Sequence, residues 1–146
     1  MGCRPACAAP LPKPSIVVYA CSGCSDAGEL ADRIARRLAR EGSAEMSCLA
    51  GIGGRVKALV AKAENAERIL AIDGCPLNCT RHTLELAGFK HFQPRELHWL
   101  GFRKNSCPVT KERIADGVSA ARKILADAKY AVVSQNNPEP IIINQP

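Results

Sequence analysis

Apolar and polar positions along this chain follow two alternating rhythms. Ser15 to Ala20, SIVVYA, is an unbroken run rich in β-branched residues and predicts a buried strand. The period then changes. Leu30, Ile34 and Leu38 recur at helical spacing with Arg33, Arg36, Arg37 and Arg40 between them, which predicts an amphipathic helix. Asp26, with Glu29 following it, is the expected cap of that helix, and Gly42 its stop after Glu41. The unit repeats in kind: Ala44 to Cys48 reads as a second strand, LAGIGG as a loop, and Arg55 to Glu64 as a helix whose Val56, Leu59, Val60 and Ala63 share a face. Arg68 to Ile72 is the third strand. After it come a loop from Cys75 to Cys79, a helix of about two turns ended by Gly88, and a fourth strand over Glu96 to Phe102, ELHWLGF. Thr110 caps a last long helix with Ile114, Val118, Ala121 and Leu125 on its inner stripe.

Strands alternating with helices at this spacing require right-handed crossovers, and hence a mostly parallel sheet with helices on both faces. The expected fold is α/β: a single three-layer, flavodoxin- or Rossmann-like domain over residues 15–128, with a sheet of four or five strands. Residues 1–14 read as an irregular arm. Residues 129–146, KYAVVSQNNPEPIIINQP, read as a loosely ordered tail or a strand that pairs elsewhere, given the prolines bracketing its apolar stretch.

Placing the cysteines on this outline gives it chemical content. Cys21 and Cys24 follow the first strand, Cys48 closes the second, Cys75 and Cys79 follow the third, and Cys107 lies in the loop after the fourth. All six fall at the carboxyl ends of strands, where α/β proteins build their sites. Adjacent strands lie about 4.8 Å apart, so loops leaving them can bring sulfurs within reach of one metal ion. Cysteine also behaves as a small buried hydrophobe, which accounts for Cys48 alone but not for pairs flanked by Gly and Pro in loops.

Composition bears on what those thiols are for. With 146 residues, 47% hydrophobic and 23% charged, the chain makes one ordinary core and needs no covalent staples. Eight cysteines at this length fall below the roughly 8–10% that marks a disulfide scaffold. The N-terminal MGCRPACAAPLPKP has no apolar signal region, and no apolar run approaches the roughly 18 residues needed to span a bilayer. The expectation is a reduced, cytoplasmic protein with no membrane partner, in which clustered cysteines mean metal or thiol chemistry. The net charge of +6 does not make a nucleic-acid partner: the densest basic stretch is the polar side of a helix, and the aromatic residues number only Trp 1, Tyr 2 and Phe 3. A protein or small-molecule partner is left unspecified.

Three further features carry alternatives. CPLNCTR, from Cys75 to Arg81, fits the C-x5-R string of phosphatase and arsenate-reductase loops, which need a thiolate at a helix N-terminus, free backbone N–H groups and an arginine clamp. Pro76 removes one of those donors. GIGG, Gly51 to Gly54, reads as a tight turn rather than a nucleotide loop, because it lacks the full glycine pattern. His82, His91 and His98 read as surface histidines, His82 being the one placed to share a helix face with Cys79.

Three motifs in order, YACSGCSDAGELA, CLAGIGG and AIDGCPLNCT, make the stretch from about Ile16 to Lys104 resemble the DGC-domain proteins, a group linked to zinc binding and named for the Asp-Gly-Cys seen here as Asp73, Gly74 and Cys75. The resemblance implies Cys21, Cys48, Cys75 and Cys79 as metal ligands. Cys24 departs from the pattern, where a small residue often stands, and is a possible additional ligand. The expected function is therefore a zinc-binding cysteine-cluster protein acting as a metal-binding or redox and sulfur-handling accessory. Iron–sulfur ligation is the alternative cofactor. A cysteine-nucleophile enzyme, either a sulfurtransferase or a phosphatase-like one using Cys75 and Arg81, is the alternative activity, and no catalytic set is readable beyond the cysteines. Cys3 and Cys7 lie outside the resemblance and Cys107 at its edge.

Overall fold

The structure, a computed structural model, describes residues 16–23 and 25–127. The arm and tail read from the sequence, with Cys3, Cys7 and Cys24, lie outside the described residues. Four strands, β1 (Ile16–Ala20), β2 (Glu45–Met46), β3 (Arg68–Asp73) and β4 (Gln93–Glu96), form one sheet in the order β2-β1-β3-β4, with every neighbouring pair parallel. Among the described residues five α-helices connect and cover them: α1 (Asp26–Arg40), α2 (Leu49–Gly53), α3 (Lys57–Glu64), α4 (Cys79–Leu86) and α5 (Lys111–Ala126). This is the three-layer α/β domain the alternating periods predict.

The central strands are apolar on both faces, as a parallel sheet covered on both sides requires. Val18, Ala20, Leu70 and Ile72 point to one layer and pack with Leu30, Ile34 and Leu38 of α1 and Val118 and Ala121 of α5. Val17, Tyr19, Ile69 and Ala71, the alternate positions, point to the other and meet Ile52, Ala63, Leu84 and Phe89 around α2, α3 and α4. The inner stripe predicted for α5 is the one it buries: Val118 and Ala121 lie in the core, with Ile114 and Leu125 packed against it. Gly42, at φ +70°, ends α1 where expected, its N–H bonding Ala39 O while Ser43 N–H bonds Leu38 O.

Four local expectations are corrected. The cap of α1 is Ser25, whose Oγ accepts the Gly28 N–H at 3.1 Å; Asp26 is the first helical residue and uses its carboxylate elsewhere. LAGIGG is not a loop, since Leu49–Gly53 form α2. Its Gly51 serves contact rather than turning, because a Cβ there would meet Leu59 Cδ1 at 2.0 Å. The second strand is shorter than Ala44 to Cys48, and the fourth lies earlier than Glu96 to Phe102. Pro94 is tolerated in β4 because that strand is an edge, paired among the described residues only with β3. Leu97 to Leu100 instead form a 3-10 turn that buries Leu97 and leaves Trp99 exposed. Among the described residues no helix is long and apolar enough to cross a membrane.

Candidate functional site

β1 and β3 lie side by side, but the chain leaves them in opposite directions: β1 runs through α1 to β2 on one side, and β3 through α4 to β4 on the other. The connections diverge at the carboxyl ends of these two strands, the switch point whose crevice is where open α/β sheets bind ligands. Cys21 follows β1 directly, and its N–H bonds Ile72 O at 3.0 Å, which carries the ladder one residue past the strand. The Asp73, Gly74 and Cys75 triplet leaves β3 directly opposite.

Each residue of that triplet has a separate physical task. Gly74 passes against the first turn of α1 so closely that a Cβ would lie 2.4 Å from Ala27 O and 2.5 Å from Ala27 C. Glycine is therefore demanded by contact with backbone. That approach also lets the Gly74 N–H donate to Cys21 Sγ at 3.0 Å, joining the two strand ends through a sulfur. Asp73 is buried, with 1% of its surface exposed, and its carboxylate accepts the N–H groups of Thr80 at 2.7 Å and Arg81 at 3.1 Å. Thr80 Oγ1 donates in turn to Ile72 O at 3.1 Å. Cys75 is half-buried, and Cys79 is exposed as the first residue of α4. Between them Asn78 turns the chain with φ +50°, its N–H bonding Cys75 O and its Nδ2 bonding Pro76 O.

Burial pushes the Cys21 thiol up to about 11, the Gly74 N–H opposes the shift, and the charges of Asp73, Cys79 and Cys75 add to it. A buried thiol among negative neighbours stays protonated at neutral pH unless a cation stands beside it. Cys48 stands exposed at the N-cap position of α2, in the loop after β2. Cys21 thus follows β1, Cys75 and Cys79 follow β3, and Cys48 follows the adjoining β2. Among the described residues no group of three or more His, Cys, Asp or Glu side chains is arranged to hold a metal ion. In kind the donors suit zinc or an iron–sulfur cluster: the described cysteines are free thiols, and one already accepts the sort of N–H bond that steadies a thiolate.

Other sequence candidates fall away from the crevice. Cys107 is fully buried in the core cluster that α1 and α5 form with the sheet, so it is not a rim thiol. Asp26, read as a cap, instead ties the Cys107 loop to α1 by accepting the N–H groups of Asn105 and Cys107, both at 2.7 Å. His82 is exposed and pairs with Glu85, which also binds Arg81 Nε at 2.7 Å. The role of Asp73 was not readable from spacing, because its partners lie seven and eight positions later and meet it only through the fold.

Comparison with known proteins bears on the same residues. The family model for the DGC domain matches residues 17–132, a span that holds the sheet but for Ile16, the five described α-helices and the crevice. The chain belongs to the DGC-domain family. The match reaches beyond the three motifs and takes in α5. The DGC chain is also 53% identical over 75 residues to the anaerobic and virulence modulator AnvM of Pseudomonas aeruginosa, a stretch covering 51% of this chain and 54% of that protein. It thus spans about half the length of the curated relative it matches. No solved structure matches. Within the DGC domain, the triplet that names the family is the segment that holds the crevice together.

Proposed function

We propose that this protein binds zinc through thiolates at the carboxyl rim of its sheet and acts as a metal-binding or redox accessory protein, with Cys21, Cys48, Cys75 and Cys79 as ligands and Cys24 as a possible addition. The observation that carries the reading is the meeting of Cys21 with the Asp73-Gly74-Cys75 turn at the switch point, through the Gly74 N–H to Cys21 Sγ bond. Zinc, when bound, would hold the sulfurs as thiolates and offset the burial that otherwise keeps Cys21 protonated. The residues of the chain supply the rest: Gly74 orients one sulfur, α1 shields it, and Cys48 and Cys79 stand at the solvent side. A reduced, cytoplasmic setting belongs to this reading, since it keeps the thiols free. The redox part draws on the relative, whose name ties it to anaerobic modulation.

A phosphatase-like use of Cys75 and Arg81 is less well supported. The N–H groups of Thr80 and Arg81, which would have to cradle an oxyanion, are taken by Asp73, and the Arg81 guanidinium is drawn to Glu85. The deciding experiment is elemental analysis with an absorbance spectrum of anaerobically purified protein. A colourless protein with about one zinc per chain supports the proposal. Thiolate-to-iron absorption assigns the site to an iron–sulfur cluster, and metal-free protein turns the reading toward thiol or persulfide chemistry.

A further inference from the structure

We infer that Asp73 is a positioning residue for the thiol crevice: it fixes the loop that carries Cys75 and Cys79 without itself serving as a ligand. This rests on the thiolate-site reading above. Both carboxylate oxygens are directed at the start of α4, Oδ1 accepting the Thr80 N–H and Oδ2 the Arg81 N–H, and the side chain is almost wholly closed to solvent. The carboxylate sits at the N-terminus of α4 as an internal anion and takes two of the N–H groups of its first turn.

The consequence for the thiols is geometric. Asp73 ends β3 and Thr80 lies in the first turn of α4, so these bonds, with the Thr80 Oγ1 to Ile72 O bond, fasten the two ends of the loop together. The chain leaves the sheet at Cys75 and returns at Cys79 over one fixed spot. Inside that staple, Asn78 turns in the left-handed region and binds back to Cys75 O and Pro76 O. On its other side Gly74 is held against Ala27 and bonded to Cys21. Without the carboxylate the loop keeps its cysteines but loses the bonds that set their spacing relative to Cys21.

The test is Asp73→Asn, which keeps size and one acceptor but turns an amide N–H toward a backbone N–H. Thr80→Val, which cuts the staple from the other side without a change of charge, is its companion. The probe is cobalt(II), titrated into reduced full-length protein and followed by its thiolate charge-transfer and d–d bands, with zinc affinity read by competition. The expected result is a 10- to 100-fold loss of affinity in Asp73→Asn, the range typical of groups that orient ligands, with altered d–d bands and a smaller loss in Thr80→Val. A purely structural role would move the melting temperature and leave the bands unchanged. Equal affinity and an unchanged spectrum in folded Asp73→Asn overturn the inference; should that variant not fold, Asp73→Ser, which removes the two-oxygen acceptor in a smaller side chain, decides by the same criteria. If the wild type binds neither metal, the thiolate-site reading is what fails. The positioning role is then judged by alkylation: faster labelling of Cys75 and Cys79 in Asp73→Asn supports it, and unchanged labelling overturns it.

Discussion

Gly74→Ala is the sharpest perturbation of this fold at its site. The added Cβ would sit 2.4 Å from Ala27 O, 2.5 Å from Ala27 C and 2.8 Å from Gly28 N. All three are backbone atoms in the first turn of α1, so no rotamer change relieves the overlap, and either the helix or the strand end must move. Overpacking of this kind costs about 1–3 kcal/mol, and rigid neighbours place Gly74 in the upper part of that range. At about 2–4 °C per kcal/mol for a domain near this size, the melting temperature should fall by roughly 4–12 °C. Gly53→Ala is the control. Its Cβ meets only Thr83 Cγ2 at an ordinary 3.6 Å, so the gain from removing a helical glycine, about 0.5–1 kcal/mol, should leave it at or slightly above the wild type. Circular dichroism melts of the three proteins under reducing, metal-free conditions decide the matter. A Gly74→Ala protein that melts with Gly53→Ala would refute the claim that contact with α1 demands glycine at the centre of the triplet.

Three other outcomes are expected. In metal-free protein the folded state holds the Cys21 proton up to about pH 11, so the stability it contributes is complete below the ordinary thiol pKa of 9.0 and is lost as pH rises through that window. Alkylation mapped by mass spectrometry should label Cys21 far more slowly than exposed Cys79 at about pH 8, and equal rates would contradict this. The N–H groups of Cys107 and Asn105 hold the Asp26 carboxyl below its ordinary value, so the stability it contributes is present above that value and is lost as pH falls through the lowered one. Asp26→Asn should flatten the acid limb of urea midpoints between about pH 7 and 3, and parallel profiles would show that the contact is not linked to folding. Chelation should leave a cooperative melt, because two apolar layers cover the sheet without help from a metal, and loss of the transition would make the metal structural.

The sequence was most legible where one period ran uninterrupted. β1 and β3 are unbroken apolar runs because both their faces are covered, and α1 and α5 show one long stripe each. It was least legible where a residue type served a tertiary end. Gly51 and Gly53 looked like turn formers, yet they lie within α2, and Gly51 is small because Leu59 presses against it. Leu97 and Leu100 looked like strand positions, yet they share a face of a 3-10 turn, in which residues three apart eclipse. Ser25 and Asp26 are adjacent cap formers, and only the reach of Asp26 to the distant Cys107 loop separates their roles. At the site, the cysteines announce themselves by type and by their place after strands. Asp73 does not, since a carboxylate at a strand end looks the same whether it binds a metal, water or a helix N-terminus.

Metal content across single cysteine variants tests the central claim most directly. Cys21→Ser, Cys48→Ser, Cys75→Ser and Cys79→Ser are purified anaerobically beside the wild type and Cys107→Ser, and zinc per chain is measured on protein shown by circular dichroism to be folded. The account predicts about one zinc in the wild type and in Cys107→Ser, where the residue replaced is buried in the core, and a clear loss in each of the other four. Full zinc retained in Cys21→Ser or Cys75→Ser, or a loss confined to Cys107→Ser, would contradict a metal centre at the switch point of the sheet.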